Sequence, residues 1–196
     1  IEQGKAVICE KTLTEDPADS LEVIEAARKR GVVFYTSYMK RFIPAVQKTV
    51  ELLPTIGRLM AASIRSYQGW GNNWEGEPAG DFFNRPETGE SAVKRAYGGG
   101  ILVCGGSHIL DLVCHLFGRP SSLYATQFEP EYLDLDLEAT ALIKTPSCPV
   151  QFQAVAHPLS KIGFLKDGWD EGYVISGTRG RLEFFSSNWS EVETKA

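Results

Sequence analysis

Apolar and polar positions along the chain follow two periods, one near two residues and one near 3.6, and they divide it into elements. Ala6–Cys9 is a short unbroken apolar run, which predicts a buried strand. Thr14-Glu15-Asp16-Pro17 then reads as a helix start, with Thr14 or Asp16 as the cap and Pro17 in the first turn. Leu21 and Ile24 continue at helical spacing, and Gly31 closes the helix. Val32–Tyr35 predicts a second buried strand, so the first 37 residues form a βαβ unit with parallel strands. After Phe42-Ile43-Pro44 a second helix places Val46, Val50 and Leu53 on one face, and Pro54 and Gly57 end it. From 58 to 68 the period falls to two: Leu59, Ala61, Ser63, Arg65 and Tyr67 alternate with Met60, Ala62, Ile64 and Ser66. Further strands are predicted at 121–128, 137–145, 150–157, 172–177 and 180–185. Turns at Thr145–Pro149 and Thr178–Gly180 join them, and consecutive strands with tight turns predict an antiparallel meander. The expected class is α+β with an α/β edge: a βαβ piece over 1–37, then a mostly antiparallel open sheet over 38–196 with helices on one face.

Two stretches interrupt this pattern. Residues 69–97 mix glycine and proline with Trp70, Trp74, Phe82, Phe83 and Arg85. The stretch is long for a structureless connection, so it reads as a surface excursion packed by its own aromatics or as a substrate loop. In the second case Trp70 or Trp74 would offer a flat face to a sugar ring. The glycine triplet Gly98–Gly100 opens an apolar run that predicts a helix over 100–117, stopped by Gly118-Arg119-Pro120. Cys104, His108, Asp111 and His115 fall on it at i, i+4, i+7 and i+11, along one helical face. Histidine titrates nearest neutral pH, which makes this face the first candidate for chemistry. All four side chains can bind metals, but four ligands strung along one helix cannot surround one ion, so no metal site is expected.

Charge and cysteine usage narrow the setting. A net charge of −5 without a basic patch argues against a nucleic-acid partner. No apolar run approaches the roughly 20 residues of a membrane helix. The four cysteines are scattered with no C-x-x-C pair, which predicts a reducing, cytoplasmic location without disulfides. The first residues do not resemble a signal peptide.

Three pieces, in order, carry a family resemblance. They are Gly4-Lys5-Ala6-Val7-Ile8-Cys9-Glu10-Lys11, then Tyr38-Met39-Lys40-Arg41-Phe42-Ile43-Pro44, then the glycine triplet followed by Gly106-Ser107-His108-Ile109-Leu110-Asp111 and Leu116-Phe117-Gly118. The chain resembles the Gfo/Idh/MocA family of NAD(P)-dependent oxidoreductases, whose corresponding motifs are a strand ending E-K-P, a Y-x-R-R-F-x-P segment and a glycine-led helix. The resemblance implies that 1–37 is the last βαβ part of a Rossmann domain and that 38–196 is a substrate-binding and oligomerisation sheet. It implies NAD or NADP as cofactor and a sugar, inositol or related polyol as substrate; and because few helices are predicted to cover the sheet, one sheet face is expected to meet another copy in a homo-oligomer. Carried over by motif, Lys11 and His108 are catalytic, Glu10 and Lys11 touch the cofactor, and Cys104 and Asp111 support the histidine. Arg41, Trp70 and Trp74 are assigned to substrate.

The same comparison exposes departures. The G-x-G-x-x-G that seats a dinucleotide is missing; Gly69-Trp70-Gly71-Asn72-Asn73-Trp74 comes nearest but ends in tryptophan. The expectation is therefore a truncated form or remnant of a longer enzyme. The family's E-K-P reads Glu10-Lys11-Thr12, and the aspartate expected four residues before the histidine is Cys104. A thiol is a weaker partner for an imidazolium than a carboxylate. A non-catalytic sugar-binding or dimerisation module is the alternative reading.

Overall fold

The computed structural model describes residues 1–14, 16–75, 99–133, 135–187 and 194–195, in two compact units, Ile1–Met39 and Lys40–Ala196. Phe82, Phe83, Arg85 and Gly98 lie outside the described residues.

The first unit is β1 (Val7–Glu10), α1 (Pro17–Arg30) and β2 (Phe34–Ser37). β1 and β2 run parallel, pairing Val7 with Phe34 through Glu10 with Ser37. Asp16 is the cap of α1: its carboxylate accepts from the Ala18 N–H at 2.7 Å, and Pro17 fills the first turn, where a missing N–H costs nothing. Gly31 ends the helix at φ 64°, a left-handed conformation that favours glycine.

The second unit begins with a 3₁₀ turn, Met39–Phe42, that straddles the unit boundary, followed by α2 (Pro44–Leu52) and β3 (Leu59–Gly69). A π-helical turn (Leu102–Gly106) leads into α3 (Ser107–Phe117). β4 (Ser122–Phe128), β5 (Glu138–Lys144), β6 (Pro149–His157), β7 (Trp169–Gly177), β8 (Arg181–Ser186) and β9 (Thr194–Lys195) complete it. The seven strands form one sheet in the order β4-β5-β6-β3-β7-β8-β9.

The expected meander is therefore interrupted. β6 and β7 do not pair; β3 lies between them, parallel to β6 and antiparallel to β7, and every other ladder in the sheet is antiparallel. Two properties of β3 account for this. It is the longest strand, and Ala62, Ile64, Ser66 and Gln68 are all buried on one face, as a central strand requires. The 158–168 connection between β6 and β7 supplies the length to pass over it.

Both helices pack on that face. On α2 the Thr49 hydroxyl donates to the Ala45 carbonyl and accepts from the Tyr173 hydroxyl on β7 at 2.7 Å. Thr49 is buried where the sequence pattern put Val50, because the phenol of a fully buried tyrosine requires a polar partner. Val50 is exposed instead. Burial pushes the Tyr173 hydroxyl up to about 12. The core beneath the helices joins Ile64, Phe117, Phe152, Ile109, Leu112 and Ile175. The opposite face carries Arg65, paired with Asp170 at 2.7 Å, and Tyr67, whose hydroxyl donates to Gln153. Leu142 and Tyr124 stand largely exposed on it.

Phe152 is 1% exposed at the centre of this core. Phe152→Ala is expected to lower unfolding stability by about 3–5 kcal/mol, whereas Thr126→Ser on the exposed edge strand stays within about 0.5 kcal/mol; urea titrations measure both.

Candidate active site around the glycine-led helix

The segment that the sequence singled out is not one uniform helix. Its first part, Leu102–Gly106, is a wider π-helical turn, and only Ser107–Phe117 is α-helical. π-turns insert an extra residue and recur at functional sites. His108 is buried at 3% exposure, facing the sheet with Ile109, Leu112 and Leu116, and Cys104 is half-buried. His115 is exposed. The stripe read as one reactive face therefore runs along the flank of the buried face, covered at His108 and open to solvent at His115.

Hydrogen bonds at either end and a close approach in the middle hold this segment in place. At its start, the buried Asp136 carboxylate accepts from the Gly100 N–H at 2.9 Å and the Leu102 N–H at 2.7 Å, while its carbonyl accepts from Ile101 N–H. A carboxylate here satisfies donors that a helix start leaves open and complements the helix dipole. Gly100 allows the approach, since a Cβ there would overlap the Asp136 main chain. In the middle, a Cβ at Gly105 would overlap the Gln68 side-chain amide and lie 2.9 Å from Ser66 Oγ, so only glycine brings the turn this close to β3. Beyond His108, Asp111 pairs with Arg41, accepting from Arg41 Nε at 2.7 Å and from its terminal nitrogen in a bidentate bridge. Asp111 thus supports the helix through Arg41, a residue 70 positions earlier, and not through His115 one turn away.

Under the turn lies a buried charge network that the sequence reading missed. Glu171 on β7 is 2% exposed. One of its oxygens accepts from Ser66 Oγ at 2.6 Å and Gln68 Nε2 at 2.8 Å, and the other accepts from the buried ammonium of Lys40. Gln68 Oε1 accepts from the Trp70 indole at 3.1 Å. The signal was present in the alternation: Ser66 and Gln68 fall in register with Ala62 and Ile64 on the core face, where polar residues call for partners.

The tryptophans take different places. Trp70 is buried in the core. Trp74, in the Asn73–Glu75 turn, is exposed; its indole donates to the Ala156 carbonyl and its ring stacks on the exposed Phe128, with centroids 5.0 Å apart. The nearest approach to a dinucleotide fingerprint ends β3 at Gly69 and passes into this 3₁₀ turn, not into a helix that could seat a pyrophosphate. In the first unit, Glu10 ends β1 and is exposed; Lys11 follows, half-buried, with a cis peptide bond to Thr12.

The third histidine, His157 at the end of β6, is also buried. Its Nδ1 accepts from the Leu159 N–H at 3.0 Å, so the neutral ring carries its proton on Nε2. Burial holds its pKa below the ordinary histidine value, against smaller opposing effects of the Gly168 main chain and the Asp170 charge. Because the folded pKa is depressed, the unfolded chain binds the proton more readily. The stability present above about pH 6.5 is then lost progressively as pH falls toward the folded value. Thermal melts across pH 5–8 are expected to show this acid loss, and His157→Gln to flatten it. Asp136→Ala, which strips the cap from two N–H groups, is expected to cost about 1–3 kcal/mol in the same melts.

The family description "GFO/IDH/MocA C-terminal domain" matches residues 54–183. An uncharacterized oxidoreductase of Synechocystis sp. is 29% identical over 94% of the chain and 49% of its own length. A trans-1,2-dihydrobenzene-1,2-diol dehydrogenase of Xenopus laevis is 25% identical over 97% of the chain and 51% of its own length. The chain thus spans about half the length of the curated relatives it matches. Among solved structures, a levoglucosan dehydrogenase in complex with NADH and levoglucosan superposes with TM-score 0.73 at 19% identity, over 99% of this chain and 54% of that one. The WlbA dehydrogenase of Bordetella pertussis, in complex with NADH and UDP-GlcNAcA, gives 0.71 at 16% identity, over 93% and 49%. At these identities the superpositions show a shared fold, and together with the match over 54–183 they establish that this chain belongs to the GFO/IDH/MocA oxidoreductase family.

Proposed function

We propose that the chain is part of an NAD(P)-dependent oxidoreductase that moves a hydride between the nicotinamide and a sugar, inositol or related polyol. Family membership carries this reading, and the named ligands of the two superposed dehydrogenases agree with it. The nicotinamide would take up the hydride; the chain's own residues would handle the hydroxyl proton and hold the substrate. His108 is the proton acceptor, kept from bulk water by its burial against the sheet. Cys104 and Asp111 support it, Asp111 by fixing the helix through Arg41. Arg41 retains partial exposure and is assigned to substrate oxygens, and of Trp70 and Trp74 it is Trp74 whose ring reaches solvent.

The first unit supports the cofactor half of the proposal. β1 is parallel to β2 and ends at Glu10, followed by Lys11, and open α/β sheets bind cofactors at the carboxyl ends of their strands. Parallel sheets are ordinarily covered on both faces, yet Ile8 is 79% and Val33 72% exposed. That apolar surface suits a βαβ unit that completes a larger dinucleotide-binding sheet. Glu10 and Lys11 are assigned to the cofactor, with Lys11 contacting the reacting hydroxyl. The open sheet face bearing Tyr124 and Leu142 is assigned to a second copy in a homo-oligomer.

In the whole polypeptide that carries this chain, Lys11→Met and His108→Asn are each expected to lower kcat for NAD(P)-dependent polyol oxidation by about 10²–10⁴-fold. Full turnover in both folded variants would remove the assignment. Nicotinamide binding without turnover in the wild type would favour the non-catalytic alternative. Light scattering at micromolar concentration is expected to show an oligomer.

A further inference from the structure

Gly105 and His108 lie on the buried face of the same segment, one turn apart. The surface that receives Gly105 is polar. Ser66 Oγ and the Gln68 amide form its top, and Glu171 lies beneath them, directly opposite Ser66 across the β3–β7 ladder. Gln68 is held from both ends: its oxygen accepts from the Trp70 indole, and its nitrogen donates to Glu171 and, at 3.2 Å, to Ser66. Trp70, Gln68, Ser66, Glu171 and Lys40 make one buried chain of hydrogen bonds. Apolar side chains could fill the same volume without the desolvation cost of a carboxylate and an ammonium. What they could not supply is direction, because hydrogen bonds fix the orientation of an amide and a hydroxyl where dispersion contacts do not.

We propose that Glu171 is a positioning residue for His108. Its carboxylate locks Ser66 and Gln68 in the one orientation that admits the Cys104–Gly105 peptide, and the position of that peptide sets where the imidazole stands. Lys40 neutralises the buried carboxylate and is needed for the charge, not for the seat. The proposal builds on the assignment of His108 above.

The chain has three histidines, one buried in the first turn of α3, one exposed on the same helix and one at the end of β6, so imidazole nitrogen spectra report each separately. Gly105→Ala and Gln68→Leu, both close in size to the native residues, are expected to displace the His108 signal and leave that of His115 in place. The double variant Lys40→Met/Glu171→Gln keeps an acceptor oxygen for Ser66 and Gln68 while removing the ion pair, and it is expected to leave His108 at its wild-type position. Lys40→Met/Glu171→Leu, which removes the acceptor as well, is expected to displace His108, and an unmoved signal there would overturn the proposal. An unmoved His108 signal in Gln68→Leu, with His115 confirming the fold, would overturn the proposal. So would a Lys40→Met/Glu171→Gln variant that displaces His108 as far as Gln68→Leu does. In the whole polypeptide, Gln68→Leu is further expected to lower kcat on the order of 10²-fold with KM little changed. The spectra do not depend on turnover: absence of oxidoreductase activity would count against the proposed function, and an unmoved resonance against Glu171 alone.

Discussion

The seating of a glycine-faced helical turn on a buried carboxylate network is the constraint around which the second unit is arranged. At Gly105 the turn comes so close to β3 that no side chain could intervene, and the groups it meets belong to Ser66 and Gln68. Those two are held by Glu171, whose charge is met by Lys40. A buried carboxylate with one cation and two neutral donors is stable only as a complete set, and removing one partner of such a pair typically costs about 3–5 kcal/mol. The network is therefore conditional: each member is tolerable in the core because the others are present.

The consecutive residues Lys40 and Arg41 give this arrangement an unusual economy. Lys40 reaches Glu171 on β7, and Arg41 reaches Asp111 on α3. One short 3₁₀ turn thus ties both the sheet under the site and the helix above it. With Asp136 holding the start of the segment through three main-chain bonds, the helix is fixed before, beneath and after His108. A proton-handling side chain benefits from this, since misplacement by an ångström is costly to a reaction whose geometry is set by its surroundings.

The sheet order serves the same end. β3 occupies the centre although it precedes the site helix in the chain, and among the described residues the β3–β6 ladder is the one parallel pairing of this sheet. At the centre, β3 is flanked on one side by β7, which supplies Glu171, and on the other by β6, whose Ala154 meets Gly106 at 3.3 Å from an ideal Cβ. A sequential meander would have paired β6 with β7 and left the Ser66–Gln68 face at an edge.

Local pattern alone determined much of this protein. The βαβ unit, with Asp16, Pro17 and Gly31 at its helix ends, was legible because capping acts over three or four residues. The strands from β3 to β8 followed from a period of two and from turn residues, and the family from three short motifs in order. Tertiary structure decided what depends on partners distant in sequence. Asp111 finds Arg41, Ser66 finds Glu171, Gly100 finds Asp136, and Tyr173 draws Thr49 inward in place of Val50. Trp70 and Trp74, indistinguishable as aromatics in one glycine-rich stretch, part company because only Trp70 enters the core. Periodicity tells which side of an element is buried; it cannot tell which charged group waits on the neighbouring strand, because that is set by strand order and register, and these arise only when the whole sheet closes.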